Sequence, residues 1–219
     1  MTTAGTICNQ AATTLFDDTH VRWALAELVG HLSGAQRDVV MLKPAAYTMN
    51  QAVQLAPGTV QSLPDGGVAL VDIGGNMGAD GNTPGRSVTQ IDRTILESAR
   101  PDWRASKAST TARHFIYDDR DPQRFEVWPP QPDPAGYVNL VYAATPPALV
   151  DENSQISLPD IYVTALYYLV LARAYEKSTG TQDFNKAQGY RQIASQMVTG
   201  RKVAKQELHP EQMAERAKR

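Results

Sequence analysis

One cysteine, Cys8, is all this 219-residue chain contains. That excludes an internal disulfide framework and any multi-thiolate metal centre. Histidine is nearly as scarce. His20, His31, His114 and His209 are scattered, with neither the HExxH spacing nor a His pair three to five residues apart that a zinc site needs. No serine sits in a GxSxG elbow, and no Gly-Lys-Ser/Thr closes a phosphate loop. The N-terminus has no basic stretch followed by an apolar one, so no secretory signal is expected. The longest apolar run, Ile161 to Tyr175, is interrupted by Arg173 and falls short of the ~20 residues that span a bilayer. No membrane segment is expected.

Charge of one sign is also missing. Twenty-one Lys and Arg face 23 Asp and Glu, a net of −2, so wholesale coating of nucleic acid is not expected. Apolar residues make up 42% and charged ones 20%, which is enough for a real core.

Hydrophobic spacing divides the chain. Residues 6–43 read as helices. Ile7, Ala11, Ala12 and Leu15 form one stripe, and Val21, Leu25, Leu28, Val29 and Leu32 form another. Asp18 or Thr19 is placed to cap the second helix, Ser33-Gly34 to break it, and Pro44 to end it. From residue 52 short β-branched runs alternate with turns, among them Pro57-Gly58 and Pro64 to Gly67. Gly74–Gly85 reads as a long surface loop and 89–97 as a short helix. His114–Tyr117, Arg124–Trp128 and Tyr137–Tyr142 read as strands, the last directing Val138, Leu140 and Tyr142 to one face. The stretch PPQPDPAG, residues 129–136, reads as a turn-rich connector.

Pro159 to Lys177 is the clearest helix, with Pro159 suited to its first turn. It carries two apolar stripes and so must be covered on more than one side. Asp183 to Thr199 is a second helix, with Phe184, Ala187, Tyr190, Ile193, Ala194 and Met197 inward and Gly200 as its stop. Residues 201–219 differ from the rest. Six basic residues (Arg201, Lys202, Lys205, Arg216, Lys218, Arg219) face three acidic ones, with only Val203, Leu208 and Met213 as larger apolar groups. Such a segment cannot build its own core and reads as an arm that orders on a partner.

The chemistry-bearing clusters read as structural. Asp118, Asp119 and Asp121 have Arg120 among them and no turn glycine, so they read as a polar turn rather than a calcium loop. Cys8 reads as a small buried residue. No nucleophile, base and orienting acid stand in recognisable order, so no catalytic residues, metal or cofactor are expected.

Several segments in fixed order carry a resemblance. They are Arg100-Pro101-Asp102-Trp103-Arg104, Phe115-Ile116-Tyr117-Asp118, Phe125 to Pro130, Val138 to Ala143 followed by Pro146-Pro147, Leu158-Pro159-Asp160, and Leu169 to Lys177. Upstream, Gln36-Arg37 with Lys43-Pro44, Gly58 to Gln61, and Asp80-Gly81 with Pro84-Gly85-Arg86 fit the same picture. Over roughly residues 6–200 the chain resembles the adaptor, or head-to-tail connector, proteins of tailed bacteriophages.

The resemblance implies an α+β fold: a helical bundle (N-terminal helices plus a C-terminal helical pair) with a small β-rich insertion and an extended C-terminal arm. The expected divisions are 1–51, 52–150, 151–200 and 201–219. It implies a structural virion protein made in the host bacterial cytoplasm and placed at the neck. There it would form a ring, expected to be dodecameric, beneath the portal protein and join it to tail or nozzle proteins. Viral DNA would pass through the lumen without sequence-specific binding. Ile161, Leu166, Tyr167, Val170 and Tyr175 are expected at the subunit interface. Arg201, Lys202, Val203, Lys205, Leu208, Met213, Arg216, Lys218 and Arg219 are expected in the portal-binding arm. Another tail component, a terminator or assembly chaperone, is the alternative, and a small cytoplasmic enzyme is less favoured.

Overall fold

Helix and strand follow the spacing of apolar residues, but several boundaries are set by tertiary contacts. The computed structural model describes residues 2–177 and 181–207, with side chains for 2–177 and 183–200. In chain order its elements are α1 (Ala4–Thr14), α2 (Leu25–Leu42), β1 (Thr48–Gln54), β2 (Gly58–Ser62), β3 (Gly67–Asn76) and β4 (Thr89–Gln90). Then come α3 (Arg93–Ala99), β5 (His114–Tyr117), β6 (Arg124–Gln131), β7 (Tyr137–Ala144), α4 (Val163–Glu176) and α5 (Thr181–Glu207). The fold is α+β. It divides into a helical unit, 1–47 with 146–219, and a β-rich unit, 48–145.

In the helical unit α1 packs through small residues, Ala4, Gly5, Cys8, Ala11 and Ala12, with Ile7 among them. It has no side-chain cap. Its first amides donate instead to backbone carbonyls, Ala4 to Ser154 at 2.9 Å and Gly5 to Glu152 at 2.8 Å. Neither Asp18 nor Thr19 caps α2, whose N-cap is Ala24. The preceding loop is organised by Asp17, whose carboxylate accepts the amides of Val21, Arg22 and Trp23 at 2.9, 2.9 and 2.8 Å. Val21 lies outside the helix and is exposed rather than part of the apolar stripe.

α2 runs unbroken through Ser33-Gly34. Both small residues serve contacts instead. Ser33 Oγ accepts the Leu149 amide at 2.8 Å, and Gly34 lies against the Arg173 guanidinium. Gln36 is fully buried, and its Oε1 accepts the Ser157 amide at 2.9 Å.

A one-turn 3-10 helix, Asp160–Tyr162, leads into α4 from Pro159. α4 buries Ala165, Leu166, Leu169, Val170, Leu171, Ala172 and Ala174, residues spread around most of its circumference. α1, α2 and α5 of the same chain pack against it. Each fully buried Leu or Val contributes roughly 1.5–3 kcal/mol. The two-sided apolar surface is therefore largely satisfied within one copy.

α5 does not stop at Gly200 but continues to Glu207. Gly200 has no positive φ, and a Cβ there would meet open space, so nothing at this position ends a helix. The buried face of α5 is made of Ala187, Ala194 and Val198, while Phe184, Ile193 and Met197, expected inward, are exposed. Small residues permit close approach to α4 and displace the larger ones outward.

The β-rich unit holds two sheets. One has the order β1-β7-β3, antiparallel throughout, and the other β2-β6-β5-β4. β7 directs Val138, Leu140 and Tyr142 inward as its alternation requires. β6 continues through Pro129, Pro130 and Gln131, so the expected connector begins as strand. The short helix begins at Arg93 rather than residue 89, because Asp92 caps it by accepting the Thr94 amide at 2.7 Å while Thr89-Gln90 pair with β5. Leu96 and Trp103 pack on Ile116 and Trp128 of the sheet.

Candidate functional site

Three surfaces combine exposure with a built geometry. The first is a groove of about 320 Å³ between the start of α4 and the later turns of α5, lined by Ile161, Tyr162, Thr164, Ala165, Gln196, Met197 and Gly200. Ile161 is 58% and Met197 39% exposed, so its rim is apolar. A Cβ at Gly200 would meet open space.

Of the residues expected at a subunit interface, Ile161 lies on this rim. Leu166 and Val170, also expected at the subunit interface, have no exposed surface and sit in the core of a single copy. Tyr167 and Tyr175 are partly buried against that core. The Tyr167 hydroxyl shares a 2.7 Å hydrogen bond with Thr14 Oγ1, and Tyr175 stacks on Tyr190 with the Lys186 ammonium 5.1 Å from the centre of the Tyr175 ring. Arg201, Lys202, Val203 and Lys205 lie on the continuing backbone of α5. Leu208, Met213, Arg216, Lys218 and Arg219 lie outside the described residues.

Beside the helical core runs a string of ion pairs. Lys177 meets Glu27 at 2.8 Å, Arg173 meets Asp38 at 2.8 Å, and Arg191 meets Glu176 at 2.6 Å. The Arg191 hydrogen bond, more than any other influence, holds the Glu176 carboxyl below the usual range. Burial pushes the nearby His31 down, so its neutral form is favoured.

The second surface is the loop after α1. Phe16 is 94% exposed and held at φ 57°, a conformation uncommon for a bulky side chain. Val21, in the same loop, is also exposed, while the Asp17 carboxylate accepts three of the loop's amides and the Trp23 indole donates to the Ala174 carbonyl at 3.1 Å. Hydrophobic spacing assigns Val21 to a helix face and gives no signal for Phe16.

The third lies on the β-rich unit. Glu126, largely covered, pairs with Arg93 at 2.7 Å and Arg104 at 3.2 Å, and Arg104 also reaches Glu97 at 3.6 Å. Beside it is an open depression of about 700 Å³ lined by Arg93, Ile116, Asp118 and Arg120 among others. Arg120 closes on Asp118 at 2.7 Å, and that hydrogen bond lowers the Asp118 carboxyl to about 2. Of the acidic turn, Asp118 is thus paired within the turn itself. Among the described residues no group of three or more His, Cys, Asp or Glu side chains could hold a metal ion. Cys8 is fully buried, and desolvation pushes its thiol up to about 12, where it is not a nucleophile. No helix among the described residues is long and apolar enough to cross a membrane.

A search of curated proteins gives no match. The family model of the SU10 adaptor protein, in contrast, matches residues 2–215, and with that match over nearly its whole length this chain belongs to the SU10 adaptor protein family, structural adaptors of bacteriophage virions.

Proposed function

We propose that the chain forms a ring beneath the portal, joins the capsid vertex to the tail, and leaves a lumen through which DNA passes. The family match over residues 2–215 carries this reading. A cyclic ring uses heterologous contacts, so each copy needs two different surfaces. The exposed groove around Ile161 and Met197 and the loop bearing Phe16 and Val21 are two such surfaces on one helical unit. The subunit interface then centres on Ile161 rather than on Leu166 and Val170. Twelve copies match the portal symmetry that the adaptor role implies.

In this reading residues 201–219 dock on the portal. Their basic excess suits an acidic or polar portal surface, and a ring of such arms multiplies a weak contact through effective concentration. Deleting residues 201–219 tests this. The truncated chain is expected to stay folded by circular dichroism and to lose binding to purified portal rings. Unchanged binding contradicts the arm.

A further inference from the structure

The four outer edges of the two sheets are not alike. β4 is two residues long. β2 is five residues long with a register break between Gly58 and Val60, and the Gln61 side chain occupies the Ala56 backbone at 2.6 and 2.8 Å. β3 carries three register breaks, and its main chain is engaged at Leu70 and Asn76 by Pro122, Arg86 and Gly85. Each of these edges is short, bulged or occupied, the usual protections against adding another strand.

β1 has none of them. It pairs with β7 over seven consecutive residues without a shift, and its sequence, TMNQAVQ, contains no charge, proline or glycine. Thr48 to Ala52 are all exposed, and within the β-rich unit β7 is the one strand that pairs with β1 among the described residues. The Leu55 amide donates to the Gly136 carbonyl at 2.9 Å, which sets the phase of the ladder. By alternation Met49, Gln51 and Val53 turn their main chain toward β7, and Thr48, Asn50, Ala52 and Gln54 turn theirs outward. Four N–H and C=O pairs at intervals of about 6.8 Å therefore face away from the sheet.

We propose that this edge docks an extended segment of a different virion protein, which adds as a fourth strand beside β1. The inference rests on the adaptor reading, since it takes the partner from the virion. An unprotected edge recognises main chain, so its occupant is a strand of about five to seven residues with free amides at alternate positions. A second copy of this chain does not fit. β1 is the one regular edge among the described residues, so a strand pairing between the described elements of two copies is β1 on β1. That contact is two-fold and closes on two chains, whereas a ring needs contacts that propagate. β1 offers no charge either to select or to repel, and the hydrogen-bond ladder supplies the affinity.

Hydrogen exchange read by mass spectrometry with site-resolving fragmentation tests this, on the full-length chain in solution and in intact particles. The amides of Asn50, Ala52 and Gln54 are expected to exchange freely in solution and to slow on the order of 100-fold in the particle. Those of Met49, Gln51 and Val53 are expected to be slow in both. Equally fast outer amides in a particle that contains the chain overturn the strand addition and leave the adaptor reading standing. Absence of the chain from the particle overturns both. An isolated chain that dimerises with its outer amides protected names a second copy as the occupant and also overturns the proposal. Ala52→Pro removes one outward donor while sparing the β7 ladder. It is expected to melt like the parent and to enter particles at least tenfold less, and wild-type incorporation contradicts the inference.

Discussion

The guanidinium of Arg173 on α4 lies directly on Gly34 of α2: a Cβ at that glycine would sit 2.8 Å from Arg173 Cζ. Arg173 is held there by Asp38, one turn further along α2, through a 2.8 Å charge-assisted bond. Glycine at 34 thus lets an ion pair lie flat between two packed helices. Gly30, on the same helix, has open space where its side chain would be.

The two glycines are expected to respond oppositely to alanine. Gly30→Ala gains helix propensity, about 0.5–1 kcal/mol. Gly34→Ala gains the same but displaces a charge-assisted hydrogen bond worth roughly 1.5–3 kcal/mol, a net loss of about 1 kcal/mol. Urea denaturation of both variants checks the opposite signs.

Asp17 makes stability depend on acid. The Trp23 amide, then those of Val21 and Arg22, hold its carboxyl below the ordinary value of 3.8, against opposing burial. Its contribution is therefore complete above that value and lost as pH falls toward the lowered native one. In Asp17→Asn the amide oxygen retains part of the bonding without titrating. The melting-temperature gap between parent and variant is expected to be constant above about pH 5 and to close below pH 4. A gap independent of pH contradicts the assignment.

Asn76 ties β3 to two loops of the β-rich unit. Its Nδ2 donates to the Arg86 and Ala112 carbonyls at 2.7 and 2.8 Å, and its Oδ1 accepts the Ala112 amide at 2.8 Å. Removing it strands buried partners, at about 1–3 kcal/mol for each group left unsatisfied. Asn76→Ala is expected to lower stability by about 3 kcal/mol in equilibrium unfolding.

The groove at the start of α4 separates assembly from folding. Ile161 and Met197 are exposed, so Ile161→Asp and Met197→Asp are expected to change stability by no more than about 0.5 kcal/mol. Both are expected to abolish ring formation on purified portal, counted by native mass spectrometry. Full rings from the double variant contradict an interface there.

How far the sequence reaches is set by what each residue answers to. Strand β7 was legible because Val138, Leu140 and Tyr142 alternate, and alternation is local. The two apolar faces of α4 were equally plain. That α1, α2 and α5 of the same chain would cover Leu166 and Val170 was not, since coverage depends on tertiary placement. Gly34 and Gly200 carry the residue type that ends helices, yet one makes room for Arg173 and the other faces open space. Of the α5 residues expected inward, Ala187 and Ala194 are buried and Tyr190 is half-buried, whereas the larger Phe184, Ile193 and Met197 are exposed, since close packing favours small side chains at the contact. At the candidate surfaces, Ile161 belongs to an apolar stripe of the helix read over 159–177, whereas Phe16 and the outer edge of β1 are invisible to a search for hydrophobic periodicity.

Imaging of the neck in intact particles tests the adaptor role most directly. The account predicts repeated copies of this chain around the axis beneath the portal, each with its helical unit and its β-rich unit, enclosing a channel. Finished particles that lack the chain, or that hold it away from the head-tail junction, contradict it.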